Sequence, residues 1–186
     1  MTRGEAVAMA LSMLADQDIV VAADGAISRE AYRALDRPRT FYMLGSMGQV
    51  ASIALALART RFERVVALDG DGNLLMGFGG VSMVGGLKPA NLYHLVLDNG
   101  VYATTGGQPT LAQQVDLSAV AAAAGYTWAR RCYSTEHGSA AMENWLGAQG
   151  PAMLVLAVRG EDDPAPRIPM APQEMAERFR RALAAG

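Results

Sequence analysis

The residues best placed to do chemistry fall in two clusters. An apolar run, Val65 to Leu68, meets Asp69-Gly70-Asp71-Gly72-Asn73, and a second run, Leu92 to Leu97, ends at Asp98-Asn99. About one helix fits between them, so the pattern reads as a βαβ crossover. In a parallel sheet both strand ends of such a unit reach the same edge, which brings Asp71 and Asn99 together. Carboxylate and carboxamide oxygens suit a hard cation such as Mg²⁺, which keeps few protein ligands and bridges them to phosphates. A helix starting after Gly72 would turn free N–H groups and the positive end of its dipole toward an anion. The chemistry implied is a diphosphate held by a metal.

The elements that must position these groups alternate along the chain. Ile19 to Ala23 reads as a buried strand ending at Asp24-Gly25-Ala26-Ile27-Ser28, where Ser28 either caps the next helix or contacts phosphate. Thr40 to Leu44 is a short strand ending at Gly45-Ser46-Met47-Gly48, whose two glycines let the backbone approach a ligand closely. A helix over Val50 to Ala58 follows. Leu74 to Leu87 is expected as the crossover helix, although five glycines lie between Gly77 and Gly86. Each costs about 1 kcal/mol relative to alanine in a helix. Gly77, Gly79 and Gly80 are therefore expected to permit close packing against a partner. Gly100 to Thr110 reads as a loop without period, placed where ligand contacts collect.

Thr127 to Cys132 and Ala152 to Val158 supply further strands, with helices over 118–124 and 136–148. An irregular arm carries Glu161-Asp162-Asp163, Pro164, Pro166 and Pro169, and a closing helix sets Met175, Phe179 and Leu183 on one face. This alternation predicts an α/β fold: a single doubly wound, mostly parallel sheet with helices on both faces, one domain over residues 1–186.

The bounds agree. A chain of 186 residues suits one full core, and its formal charge of −2 offers no basic footprint for nucleic acid. One cysteine, Cys132, excludes an internal disulfide and a cysteine-ligated cluster within these residues. Val7, Ala10, Leu11 and Leu14 fall at helical spacing, so the N-terminal stretch reads as an amphipathic helix and not a signal peptide. No apolar run reaches membrane-spanning length, and a cytoplasmic location is expected. His94, inside a strand, and His137, at a helix start, read as structural.

Taken together, these segments resemble the thiamine-diphosphate-dependent 2-oxoacid decarboxylases. Gly70-Asp71-Gly72, then residues 73–97, then Asp98-Asn99 is similar to that family's signature, with Asp98 standing where a first Asn is usual. Ser28-Arg29-Glu30, Gly45-Ser46-Met47-Gly48 and Thr105-Gly106-Gly107-Gln108-Pro109-Thr110 extend the likeness over nearly the whole chain, most closely to the branch acting on sulfopyruvate and phosphonopyruvate. The resemblance implies that Asp71 and Asn99 bind Mg²⁺ by side chain and Val101 by its carbonyl. Gly25, Ser28, Gly70, Gly72, Asn73 and Tyr102 would line the cofactor. Gly45 would accept from the 4′-amino group, Ser46 and Met47 would seat the aminopyrimidine, and the Met47 side chain would wedge the cofactor into its bent form. Tyr102, Thr105 and Gln108 are weaker substrate-side candidates. Arg29 and Lys88 are the basic residues expected near this edge, with Arg29 able to pair with Glu30.

In that family the cofactor supplies the electron sink for non-oxidative loss of CO₂, giving an aldehyde. The glutamate that activates it lies on a pyrimidine-binding domain, for which these residues leave no room. The resemblance therefore implies a β subunit of a carboxy-lyase, completed by a pyrimidine-domain α subunit in a hetero-oligomer, with homo-oligomeric contacts as well. Alternatives are another thiamine-diphosphate enzyme subunit, such as a carboligase or a 2-oxoacid oxidoreductase, or a catalytically silent cofactor-binding module.

Overall fold

The computed structural model describes residues 1–160 and 165–185, apart from the side chain of Thr135. The acidic part of the expected arm, Glu161 to Pro164, lies outside the described residues. The first half of the chain runs α1 (Arg3–Ser12), β1 (Ile19–Ala22), α2 (Ala26–Ala34), β2 (Thr40–Tyr42), α3 (Val50–Thr60) and β3 (Val65–Gly70). It continues through α4 (Asp71–Met76), α5 (Phe78–Leu87), β4 (Leu92–Asp98), β5 (Val101–Tyr102) and β6 (Gln108–Pro109). The remainder is α6 (Leu117–Ala124), β7 (Trp128–Cys132), α7 (Gly138–Gly147), β8 (Ala152–Ala157) and α8 (Pro172–Ala184).

Six strands form one wholly parallel sheet in the order β2-β1-β3-β4-β8-β7. Strands β1, β4 and β8 are apolar at almost every position and buried nearly throughout, as a parallel sheet covered on both faces requires. Right-handed crossovers put α2 on one face and α3 and α5 on the other. There α3 packs on β1 and β3, and α5 packs against α3 and α6. The expected doubly wound α/β architecture is the one observed.

Two features of the first crossover differ from expectation. The helix begins at Asp71, not Leu74, and Gly77 divides it into α4 and α5. A Cβ at Gly77 would lie 1.7 Å from the Gly48 carbonyl oxygen, and one at Gly85 would lie 2.1 Å from that of Ala124. Gly80 faces Ala51 and Ser52 of α3. These glycines serve packing inside the chain, where the expectation was packing against a partner, and only Gly79 and Gly86 of the segment face open space. The loop after Asn99 also holds structure, an antiparallel β5–β6 pair joining Val101 to Pro109 and Tyr102 to Gln108.

The N-terminal helix is set by a capping box. Thr2 accepts from the Glu5 N–H at 3.2 Å, and the Glu5 carboxylate accepts from the Thr2 N–H at 2.7 Å. Its inner face buries Ala6, Val7, Ala10 and Leu11. No helix of the described residues is long and apolar enough to cross a membrane.

Substitution at the two kinds of glycine should separate cleanly in urea denaturation. Gly77→Ala, forced against a backbone carbonyl, is expected to lose about 2–3 kcal/mol of stability. Gly86→Ala, facing open space in α5, is expected to gain up to about 1 kcal/mol.

Candidate active site

The chain leaves β1 for β2 in one direction and β3 for β4 in the other, so strand order reverses between β1 and β3. A crevice opens at the carboxyl ends of such strands, and here it is lined by Asp24, Gly25, Met47, the Gly70 to Asn73 turn, Asn99 and the Val101 to Thr105 loop. The register places Gly70 beside Leu97, so the turn after β3 and the end of β4 stand level.

Both helices that start at this crevice lack a side-chain cap. Gly25 is the N-cap of α2, at φ 74°, and Gly70 is the N-cap of α4. Of their first N–H groups, that of Ser28 donates to the Ala23 carbonyl at 3.0 Å and that of Gly72 to the Asp71 carboxylate, while those before them have no intrahelical partner. Gly72 must stay small, because a Cβ there would sit 2.4 Å from the Tyr102 ring. Tyr102 thus lies against the metal-type turn.

Asp71 is buried at 2% exposure, and the Thr110 hydroxyl donates to its carboxylate at 2.5 Å. The backbone N–H groups of Gly72 and Asn99 donate to it as well. Burial, with a contribution from Asp98, pushes its carboxyl above the ordinary range. The neighbouring acids are differently served. Asp98 forms an ion pair with Arg131, and Asp69 is bonded to His94 at 3.0 Å. Among the described residues Asp71 has no cationic partner, so its donor set fits a bound cation. Asn99 stands beside it, half-buried, its side-chain oxygen accepting from the Val101 N–H at 3.1 Å. No group of three or more His, Cys, Asp or Glu able to hold a metal occurs among the described residues. One carboxylate with amide and carbonyl oxygens is a set that magnesium completes with water and phosphate.

Beneath the turn lies a buried relay. The Asp69 carboxylate accepts from the Gly70 N–H at 2.8 Å, from the Asn73 carboxamide and from His94 Nε2. His94, fully buried, has Nδ1 3.2 Å from the Tyr126 hydroxyl. An ionised carboxylate can only accept, so Nε2–H donates to Asp69, while Nδ1 is bonded to the tyrosine hydroxyl. Burial holds the Tyr126 phenol well above its usual range, keeping it a donor. His94 is therefore structural, as expected.

Several expected site residues are placed differently. Ser28 does not cap α2: it lies within the first turn and donates to the Ala22 carbonyl at 3.0 Å. Asn73 borders the crevice, but its side-chain oxygen accepts from the Gly48 N–H at 2.6 Å and its NH₂ donates to Asp69, which leaves only its backbone for a ligand. Glu30 pairs with buried Arg3 at 2.6 Å and not with Arg29. Lys88 follows α5 and precedes β4, at the opposite edge of the sheet. Gly45 and Ser46, both at positive φ, are exposed beside the crevice, whereas Met47 lines it. Thr105 lines it too and lies 3.3 Å from exposed Gln108, which does not.

Sequence reasoning missed Arg3, Thr104 and Thr110. Arg3 sits far upstream in a stretch whose apolar spacing dominates, and Thr104 and Thr110 were read only as members of the Gly100 to Thr110 loop, with no role of their own. Asp24 was noted as part of a turn; burial and the charge of Asp69 raise its carboxyl.

Fold and crevice together define a thiamine-pyrophosphate-binding domain. Residues 24–156 match the family described as thiamine pyrophosphate enzyme, C-terminal TPP binding domain, and the chain belongs to that family. Its relatives narrow the class. It is 44% identical over 180 residues to the phosphonopyruvate decarboxylase of Streptomyces viridochromogenes, covering 96% of this chain and 45% of that protein. It is 40% identical over 177 residues to the sulfopyruvate decarboxylase subunit beta of Methanothermobacter thermautotrophicus, covering 95% of this chain and 92% of the other. The chain thus spans about half the length of the phosphonopyruvate decarboxylases it matches. A solved structure of a proposed thiamin diphosphate-dependent enzyme from Mycobacterium smegmatis shares the fold, with a TM-score of 0.65 at 23% identity over 88% of this chain and 32% of that one.

The Asp98–Arg131 pair accounts for the acid standing in place of the usual amide. Arg131→Met should strand a buried carboxylate and cost about 3 kcal/mol in chemical denaturation. Adding Asp98→Asn should recover most of that loss.

Proposed function

We propose that this chain is the diphosphate-binding β subunit of a 2-oxoacid decarboxylase acting on a sulfonated or phosphonated pyruvate. The observation that carries the reading is the buried Asp71 carboxylate, without a cationic partner among the described residues, at the first position of α4 and on the same crevice as the uncapped start of α2. Asp71, Asn99 and the Val101 carbonyl would hold Mg²⁺, and the metal would hold the diphosphate. The N–H groups after Gly25 and Gly70 would supply the remaining donors, with the glycines admitting the phosphates closely. Gly45, Ser46 and Met47 would seat the pyrimidine end, the half-buried Met47 side chain propping the bend. When bound, thiamine diphosphate supplies an electron sink for the departing CO₂.

Two observations support a separate pyrimidine-domain subunit. Relatives covered over nearly their whole length are named as beta subunits. The crevice, about 100 Å³, is well below the ~300–1,000 Å³ of a site enclosing a drug-sized ligand, so a second surface would have to close it. Hetero- and homo-oligomeric association, with Met76, Met83 and Leu87 exposed near Gly79 and Gly86, belongs to the same reading.

Calorimetry with thiamine diphosphate and Mg²⁺ tests the metal assignment. Asp71→Ala should keep the fold by circular dichroism and lose metal-dependent cofactor binding; retained affinity would refute the assignment. In the complex with the co-expressed pyrimidine-domain subunit, Met47→Ala should still bind cofactor while kcat falls about tenfold or more, a loss of roughly 1.4 kcal/mol in transition-state stabilisation. Full decarboxylase turnover by the chain alone would overturn the two-subunit reading.

A further inference from the structure

A second cavity, about 460 Å³, opens on the other side of the Gly25 turn, between the carboxyl ends of β1 and β2 and the segment leading into α8. Gly25 borders both this cavity and the cofactor crevice, and Gly45 borders the cavity. A ligand lying across the Gly25 turn therefore has one end in each. The cavity is walled by apolar side chains, among them Met43 and Met175, and its charged lining residues are Arg29 and Arg167.

Neither arginine has an ion-pair or hydrogen-bond partner among the described residues. The nearest acid in sequence to Arg29 is Glu30, and that carboxylate is wholly engaged by Arg3 through bonds of 2.6 to 3.1 Å. Other arginines of the molecule, Arg3, Arg39, Arg131 and Arg178, are all paired. The Ser28 hydroxyl, which also lines the cavity, gives its proton to the Ala22 carbonyl and can offer an anion none. The cavity is thus a cationic, apolar-walled recess next to the proposed reaction centre, with no described carboxylate on its wall.

We infer that Arg29 and Arg167 recognise the tetrahedral oxyanion tail of the substrate, a sulfonate or phosphonate on the carbon next to the oxo group. This inference rests on the decarboxylase reading above. A guanidinium presents paired N–H donors that match two oxygens of such a group. The apolar side chains beside half-buried Arg29 lower the local polarity and strengthen that charge pairing. The substrate carries two anions, and only the tail must be gripped: the carboxylate has to leave as CO₂, and the cavity offers its cations on the far side of Gly25 from the metal site. Pyruvate, lacking the tail, would leave both arginines unpaired.

The test uses Arg29→Gln, Arg167→Gln and the double variant, in the full chain and in the complex with the pyrimidine-domain subunit. Both side chains are at least partly exposed, so the variants should fold. Calorimetry should show thiamine diphosphate and Mg²⁺ binding with unchanged affinity. Sulfoacetate and phosphonoacetate, inert analogues of the two tails, should bind the wild-type complex and bind the double variant at least about tenfold more weakly. With 3-sulfonated and 3-phosphonated pyruvate as separate substrates, KM should rise at least about tenfold in the double variant while kcat changes less. Arg29→Lys, which keeps charge but not the fork, should fall between. Wild-type turnover with an unchanged KM and unchanged analogue affinity in the double variant would overturn the arginine assignment. No decarboxylation by the wild-type complex, with analogue binding still arginine-dependent, would overturn the decarboxylase reading and leave the anion site standing.

Discussion

The Asp69 carboxylate holds the turn on which the whole site is built. Sitting at the last buried position of β3, it gathers the Gly70 N–H, the Asn73 carboxamide and the His94 imidazole. The Asn73 oxygen then reaches the Gly48 N–H, so one buried acid ties the end of β3 to the loop after β2. A carboxylate taken from water is costly unless its lone pairs are filled, and filling them ties Gly70 and Asn73 to Asp69 and, through Asn73, the Gly48 N–H. The turn after β3 and the loop after β2 are joined by that bond set.

Around this anchor, three buried acids at one sheet edge take three different fates. The Asp69 lone pairs are filled by the Gly70 N–H, the Asn73 carboxamide and His94, Asp98 is paired with Arg131, and Asp71 has hydrogen-bond donors but no cationic partner among the described residues. The same burial acts on all three, so the difference lies in what each carboxylate faces. The Arg131 pair lets an aspartate stand at position 98 without adding unpaired charge at this edge.

The turn chemistry, the parallel doubly wound architecture and the βαβ unit were readable from sequence, whereas the order of the strands came from the structure. Apolar runs of strand length ending in Asp and Gly are local signals, and parallel topology then determines which strand ends meet. Ser28 was harder, because a hydroxyl near a helix start has the same local signature whether it caps the helix or bonds a strand carbonyl. The glycines from Gly77 to Gly85 were equally ambiguous: sequence marks a close approach but does not say to what, and the neighbours turned out to be Gly48, Ala51 and Ala124 of the same chain.

Sequence alone therefore determined the fold class, the level strand ends that bring Asp71 to Asn99, and the family resemblance, because each depends on periodicity and spacing along the chain. Tertiary structure alone decided the ion pairing. Arg3 with Glu30 and Arg131 with Asp98 join residues far apart in sequence, Arg29 and Arg167 have no ion-pair partner among the described residues, and charge pairing follows distance in space. No local pattern distinguishes an arginine that closes a buried pair from one left facing a cavity.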